Sequence, residues 1–461
     1  MELTREWVAE VTEGRVAGPQ SDAPVGEGIA FDSRQLVPGQ VFVALRDVRD
    51  GHEYVADAHA RGSAFSMVNR EVAGYPTVVV DDVGHALIVL ATAARARLDS
   101  HIVGITGSVG KTSTKDLTAA ALGAGFRTHA APASFNNEIG VPFTVLGAPE
   151  SAEALVVEMG ARFPGNIAEL CAIVQPSIGI ITNIGITHAE HLGGPEGVAA
   201  VKGELLDALP ATGLAVLSIE CVASSRQRSR SIAPTITVGH AAHADVRISG
   251  LVVGPDLRPQ FRLETPWGGG ELTLTVRGAH QAINAAQAAA VALHLGVPID
   301  AVLDALARAE GTGWRMQLHE NANGVRVLND SYNASPVATI AALDALAMLP
   351  VHGRRVAVLG EMRELGEMSE PEHARVGEAV VAAGVDVLVA VGAATEPLAR
   401  SAEPHIDVHR VSDADAARAL ITFIVAPGDA VLVKASRAVG LEIVAAALLE
   451  AEGASSEDVV A

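Results

Sequence analysis

Residues 104–114 read GITGSVGKTST and lie between a short apolar run, HIVGIT (101–106), and the helix-forming KTSTKDLTAAALGAG. A strand, a glycine-rich turn and a helix opened by Lys-Thr make an arrangement suited to holding phosphate. Glycines let backbone N–H groups close around the oxygens, and the helix N-terminus adds its positive end. Lys111 stands where it would reach the β- and γ-phosphates, and Thr112 where its hydroxyl would ligate Mg²⁺. The strict pattern asks for glycine at a position occupied here by Ile105. The loop is therefore a variant with Gly107 as its first close-approach glycine, and the expected nucleotide-holding set is Gly107, Ser108, Val109, Gly110, Lys111, Thr112 and Ser113. A turn that binds nothing would leave Lys-Thr at the helix start without a reason.

The same strand-and-helix rhythm runs on either side. At ~150 residues per domain, 461 residues suggest about three domains. The pattern predicts an α/β protein with a small α/β N-terminal domain (1–98), a central P-loop domain on a parallel sheet (99–312) and a C-terminal Rossmann-like domain (313–461). In the first span, FDSRQLVPGQVFVAL passes from a turn into a strand, and YVADAHARGSAFSMV reads as a helix stopped at Gly62 and followed by a strand. In the second, ALVVEMG (154–160) and SIGIITNIG (177–185) read as buried parallel strands. Residues 231–277 alternate in period two as a β-rich portion, and 284–297 and 300–309 return to helix. In the third, VRVLND, RRVAVLGEM, VDVLVAVG and DAVLVKASR are strands with helices such as SPVATIAALDALAML between them, ending in a tail expected to fray.

Composition narrows the function. With 33 Lys plus Arg against 54 Asp plus Glu, the formal charge is −21, and only 3% of residues are aromatic. Neither a phosphate-backbone surface nor base-stacking platforms are supplied, so nucleic-acid binding is not expected. Two cysteines, Cys171 and Cys221, make no disulfide framework and fit a reducing compartment. The mean hydropathy of +0.30 reflects Ala and Val in buried strands and helices. The longest uncharged central stretch, 171–187, is broken by Pro176 and glycines, so no membrane insertion is expected. The reading is a cytoplasmic protein.

Several polar groups fall at expected strand ends. Glu158 closes one strand and His188 follows another, so carboxylate and imidazole could share a cation beside the phosphates. Lys202 in VKGELL reads, on spacing alone, as a solvated helical lysine. Asn136, Asn137 and Glu138 fit either a turn with a helix cap or a polar ligand wall, and Asn136 and Asn137 are carried forward as substrate-contacting candidates. The run Asn329-Asp330-Ser331-Tyr332-Asn333 before Ser335-Pro336 holds more polar groups than a helix cap requires.

In this order, the segments resemble the Mur ligase family over nearly the whole chain. They are FDSRQLVPGQVFVAL, TGSVGKTST, NNEIGVPFT, ITNIGITHAEHLG, RGAHQAINAAQAAAVAL, NDSYNASP, LGEMRELGE and VLVKASRAVGLE. The resemblance implies a monomeric ATP-dependent amide ligase of peptidoglycan synthesis. It would add D-alanyl-D-alanine to UDP-N-acetylmuramoyl-tripeptide through an acyl phosphate, using ATP and two Mg²⁺ ions. By resemblance, Glu158 and His188 are magnesium residues, Lys202 is a lysine carbamylated to hold metal, and all three join Lys111 as catalytic residues. Asn284 matches an adenine contact. Arg315, Asp330, Tyr332 and Asn333 match positions near the nucleotide after domain closure, and Ser33 and Arg34 match the uridine-nucleotide site. Two departures stand out: Gln281 follows His280 where many relatives have Asn, and 215–225 lacks an expected Asn-x-Asp-Asp run. Rival readings are a related ligase adding a diamino acid or glutamate to another carboxylate, and a P-loop protein that binds nucleotide without ligating.

Overall fold

The computed structural model describes residues 1–21, 25–46, 48–185 and 189–450. His188 and the tail from 451 onward, for which a metal role and fraying were expected, lie outside the described residues.

Three main sheets organise the chain. The first has five strands in the order Arg15–Ala17, Thr77–Val79, Phe65–Val68, Val41–Val43, Ile29–Ala30, parallel except at Arg15–Ala17. The expected helix is Val55–Ala60, and Gly62 ends that turn at φ +90°. Helix Val83–Arg95, capped by Asp82 (Oδ1 accepts from the His85 N–H, 2.7 Å), leads into the second sheet. Its apolar face lies in one continuous core with Val141, Val145 and Ile167, which seats the first sheet firmly on the second.

The second sheet has nine strands. Within it, His101–Thr106 lies between Ile178–Ile181 and Ala154–Glu158, all parallel. The two flanking strands are buried at every residue, as a sheet covered on both faces requires. Beyond Leu214–Ser218 and Thr235–Gly239, the β-rich portion continues the sheet through Val246–Val253. It turns antiparallel with Pro259–Thr265 and Gly268–Thr273. The alanine-rich helix Gln281–His294 packs on helix Lys111–Gly123, and its small side chains allow the close approach.

The third sheet has six strands in the order Gln317–Glu320, Arg326–Asn329, Ala430–Lys434, Arg355–Gly360, Val387–Val391, Asp407–Val411, parallel except at Gln317–Glu320. The two outer strands, QLHE and DVHRV, carry no buried residue, so an apolar-run reading passes over them. Among the described residues, no helix is long and apolar enough to cross a membrane.

Candidate active site

The carboxyl edges of the second and third sheets face one cleft of about 1380 Å³. Register brings the central groups level: Glu158 pairs with Ile105, and Ile181 with Thr106. The glycine-rich loop leaves Thr106 and enters helix Lys111–Gly123 through Gly110, at φ +82°. Gly107 has φ +150°, and a Cβ there would stand 2.0 Å from Thr182 Oγ1, so only glycine fits. Asn183, just past Ile178–Ile181, fixes the loop: its carbonyl accepts from the Ser108 N–H (3.0 Å) and its Oδ1 from the Val109 N–H (3.0 Å). Lys111 Nζ donates to the Gly107 carbonyl at 2.8 Å. Desolvation lowers its pKa, with Glu158 opposing and Arg315 adding to the shift.

Glu158 is the anionic centre. Thr112 Oγ1 donates to its Oε2 (2.8 Å), while Ser134 Oγ and Asn136 Nδ2 both donate to Oε1 (2.7 Å each). Burial would raise its pKa, but Lys111, Arg315 and the Ser134 and Asn136 hydrogen bonds together hold it below the ordinary carboxylate range. Lys202 is not the solvated lysine that spacing suggests. It is buried in helix Gly194–Asp207, and desolvation, with Lys111 adding, pulls its ammonium down to about 7. Among the described residues, no group of three or more His, Cys, Asp and Glu gathers as a ready metal site.

The third sheet supplies the facing wall. Arg315 Nη2 donates to Thr112 Oγ1 at 2.9 Å, and its guanidinium lies 4.2 Å from the Tyr332 ring centroid. Its neighbours Trp314 and Met316 both hold left-handed backbone, at φ +58° and +52°. The junction is tied down on each side. Asp116 Oδ2 accepts from both the N–H (2.9 Å) and the hydroxyl (2.7 Å) of Thr312, and Asp330 Oδ1 accepts from the Met316 N–H (3.1 Å). Arg437 stacks 4.7 Å over Trp314. Asp330 also pairs with the buried Lys434 at 2.5 Å, and Lys434 donates to the Asn333 carbonyl (2.8 Å). The cap of helix Pro336–Met348 is Ser335; of the polar run before it, Asp330, Tyr332 and Asn333 line the cleft, while Asn329 Oδ1 accepts from the N–H (3.2 Å) and hydroxyl (2.7 Å) of Ser331.

The remaining candidates divide. Asn284 is buried beside the loop: a Cβ on Gly110 would stand 3.1 Å from its Oδ1, and its Nδ2 donates to Gln281 (2.9 Å). Asn136 and Asn137 both line the cleft. Asn136 braces Glu158, while Asn137 Oδ1 accepts from the Ile139 (3.3 Å) and Gly140 (2.9 Å) N–H groups ahead of helix Gly140–Gly147. The two asparagines thus do different things: Asn136 bonds the Glu158 carboxylate, and Asn137 holds the turn that leads into the helix. Ser33 and Arg34 stand off the cleft wall, where Arg34 is exposed and grips Asp32 through Nε (3.0 Å) and Nη2 (2.7 Å). They sit beside Phe31, whose ring meets Phe143 of the second sheet's domain at 5.5 Å. The atypical 215–225 segment reaches the cleft through Ser218, Glu220 and Cys221. Asn183, Ser134 and Lys434 were missed as site residues. The signal available was a polar residue at or just past the carboxyl end of a buried parallel strand: Lys434 ends Ala430–Lys434, and Asn183 stands two residues beyond Ile181.

Comparison with known proteins agrees with this geometry. Residues 105–292 match the Mur ligase middle domain, and 314–437 match the Mur ligase, glutamate ligase domain. The chain is 40% identical to the UDP-N-acetylmuramoyl-tripeptide–D-alanyl-D-alanine ligase of Mycobacterium tuberculosis, over 97% of this chain and 98% of that one. The chain belongs to the Mur ligase family. Among other Mur ligases, the Bacillus subtilis enzyme of the same name is 33% identical over 96% of this chain and 97% of its own. MurF from Acinetobacter baumannii superposes with a TM-score of 0.84 at 28% identity, covering 98% of this chain and 99% of that structure. A Thermotoga maritima MurF ligase in complex with ADP gives 0.76 at 27%, covering 92% and 97%.

Proposed function

We propose that this Mur ligase joins D-alanyl-D-alanine to UDP-N-acetylmuramoyl-tripeptide at the expense of ATP. The carrying observation is near full-length likeness to ligases of that name, combined with a phosphate loop and a second domain's cations on one cleft. The tripeptide's terminal carboxylate attacks the γ-phosphorus, ADP leaves, and an acyl phosphate remains. The dipeptide's amine then attacks the acyl carbon and loses its proton, and inorganic phosphate departs from the tetrahedral intermediate. Two anions must first be brought together. The loop N–H groups and Lys111 face the phosphates, and Arg315 adds a cation from the opposite wall at Thr112. Closure of the third domain over the cleft would keep water from the acyl phosphate.

Asn284 and Gln281 stand beside the loop where a nucleobase would lie, and Asp330, Tyr332 and Asn333 would border the nucleotide from the other side. Ser33 and Arg34 would take the uridine nucleotide at the far end, and Asn136 and Asn137 the substrate between. We assign three domains at 1–98, 99–312 and 313–461, and a monomer acting in the cytoplasm.

Magnesium suits the donors present, since the Thr112 hydroxyl and Glu158 carboxylate are hard oxygens 2.8 Å apart. Thr112, Glu158, His188 and a carbamylated Lys202 would hold two such ions. Bound there, they would neutralise phosphate charge. A lysine amine is no ligand for so hard an ion, but the buried, readily neutral Lys202 can take up carbon dioxide to become a carbamate.

The test is phosphate release from ATP with UDP-N-acetylmuramoyl-tripeptide, with and without D-alanyl-D-alanine, and mass detection of the new amide. Release that needs both partners and yields the pentapeptide is the expected result. Release indifferent to the dipeptide, or no adduct, would sink the assignment.

A further inference from the structure

The motif LGEMRELGE forms the loop that leaves strand Arg355–Gly360 at the carboxyl edge of the third sheet. Arg363, Glu364 and Leu365 line the cleft, as do Val337 and Ala338 of the neighbouring helix. The phosphate-facing work described above uses none of these residues. The loop is held unusually completely. Ser436 N–H donates to the Glu361 carbonyl (3.1 Å), and Ser436 Oγ accepts from the Arg363 N–H (2.9 Å). Between them, the Met362 N–H donates to Nε2 of His373 at 3.0 Å.

His373 is wholly buried in helix Ser369–Ala382. Its Nδ1 lies 2.7 Å from the Ser369 carbonyl, an acceptor only, so Nδ1 carries the proton and Nε2 is left as the acceptor for Met362. Desolvation lowers its pKa, which keeps the ring in that neutral form. One side chain thus links the helix to the middle of the loop through two directional bonds. Beyond it, Glu364 holds a left-handed backbone at φ +63° and its carboxylate lies 3.6 Å from Arg162 of the second domain. A non-glycine residue in that conformation persists only where its surroundings hold it.

We infer that His373 is a positioning residue for the acceptor: it seats Glu361–Leu365 as the wall that receives the incoming dipeptide, separate from the nucleotide wall. The inference rests on the ligase reading above. The wall fits a small zwitterion: Arg363, ion-paired with Glu361, and Glu364, which faces Arg162, bring both signs of charge to it, and Val337, Ala338 and Leu365 give an apolar floor for two methyl groups.

The experiment compares His373→Gln, His373→Asn and His373→Ala. Glutamine places an oxygen near Nε2 and keeps the Met362 bond, whereas asparagine reaches only the Nδ1 position. In His373→Asn and His373→Ala, KM for D-alanyl-D-alanine should rise about tenfold, the effect of one lost hydrogen bond, with KM for ATP unchanged. His373→Gln should stay near wild type. Hydrogen exchange at the Met362 amide should quicken in the first two and not in the third. Equal behaviour of the three variants, or parallel rises in both KM values, overturns the inference. Wild-type protein that ligates nothing overturns the ligase reading instead, and the exchange pattern then still decides whether His373 seats the loop.

Discussion

Arg315 and Thr112, 203 residues apart in sequence, meet at 2.9 Å across the cleft. The Thr112 hydroxyl in turn reaches Glu158, so one hydrogen-bond chain joins the third domain to the anionic centre of the second. The phosphate loop and its covering domain are therefore linked through the residue expected to stand beside the metal.

Replacing Arg315 tests that link. Lysine keeps the charge but loses the planar group that stacks on Tyr332 and donates to Thr112. Arg315→Lys should lower kcat by about 10²-fold, in line with loss of a donor to developing charge. Tyr332→Phe, which keeps the ring face, should remain close to wild type in steady-state assays, and Tyr332→Ala should not.

Glu158→Gln replaces one carboxylate oxygen with an NH₂ group that must face a hydroxyl or amide donor. Turnover should fall at least about 10²-fold, and the magnesium concentration for half-maximal activity should rise. Nucleotide affinity measured without magnesium should change little. A magnesium titration unaltered by the substitution would remove Glu158 from the metal site.

Lys202 gives a pH dependence of definite sign. With its ammonium at about 7, the neutral amine that reacts with carbon dioxide grows from about a tenth at pH 6 to about nine-tenths at pH 8. Enzyme stripped of carbon dioxide should be reactivated by bicarbonate to a greater extent at pH 8 than at pH 6. Lys202→Ala should be inactive and indifferent to bicarbonate. Intact-mass measurement at both pH values is the independent check.

Gly107→Ala should abolish nucleotide binding while leaving the melting temperature nearly unchanged, because the crowding is local to the loop, chiefly against Thr182 Oγ1 and secondarily against the Asn183 backbone. Adding Thr182→Ala removes the obstructing hydroxyl but not the backbone strain at φ +150°. Calorimetric titration should show partial recovery in the double variant. Full recovery would mean that φ strain is unimportant there.

The sequence made some of this plain and hid the rest for physical reasons. Apolar runs such as ALVV (154–157) announce buried parallel strands, and the loop before Lys111 has few other uses. Edge strands such as Asp407–Val411 bury no face and leave no apolar trace. Lys202 looked solvated because periodicity reports which helix face is apolar, not what covers the other face. Asn183 and Ser134 act only because sheet order sets their segments beside the loop and Glu158. No local pattern carries that adjacency. Asn136 and Asn137 share one motif yet work apart, since adjacent side chains point to different partners.

The junction between the second and third domains has a mechanical side. Trp314 and Met316 each pay on the order of 1–3 kcal/mol for left-handed backbone, and Thr312, Asp330 and Arg437 hold them there. The chain therefore enters strand Gln317–Glu320 through a preset bend, so the direction in which the third sheet leaves the junction is built into the backbone.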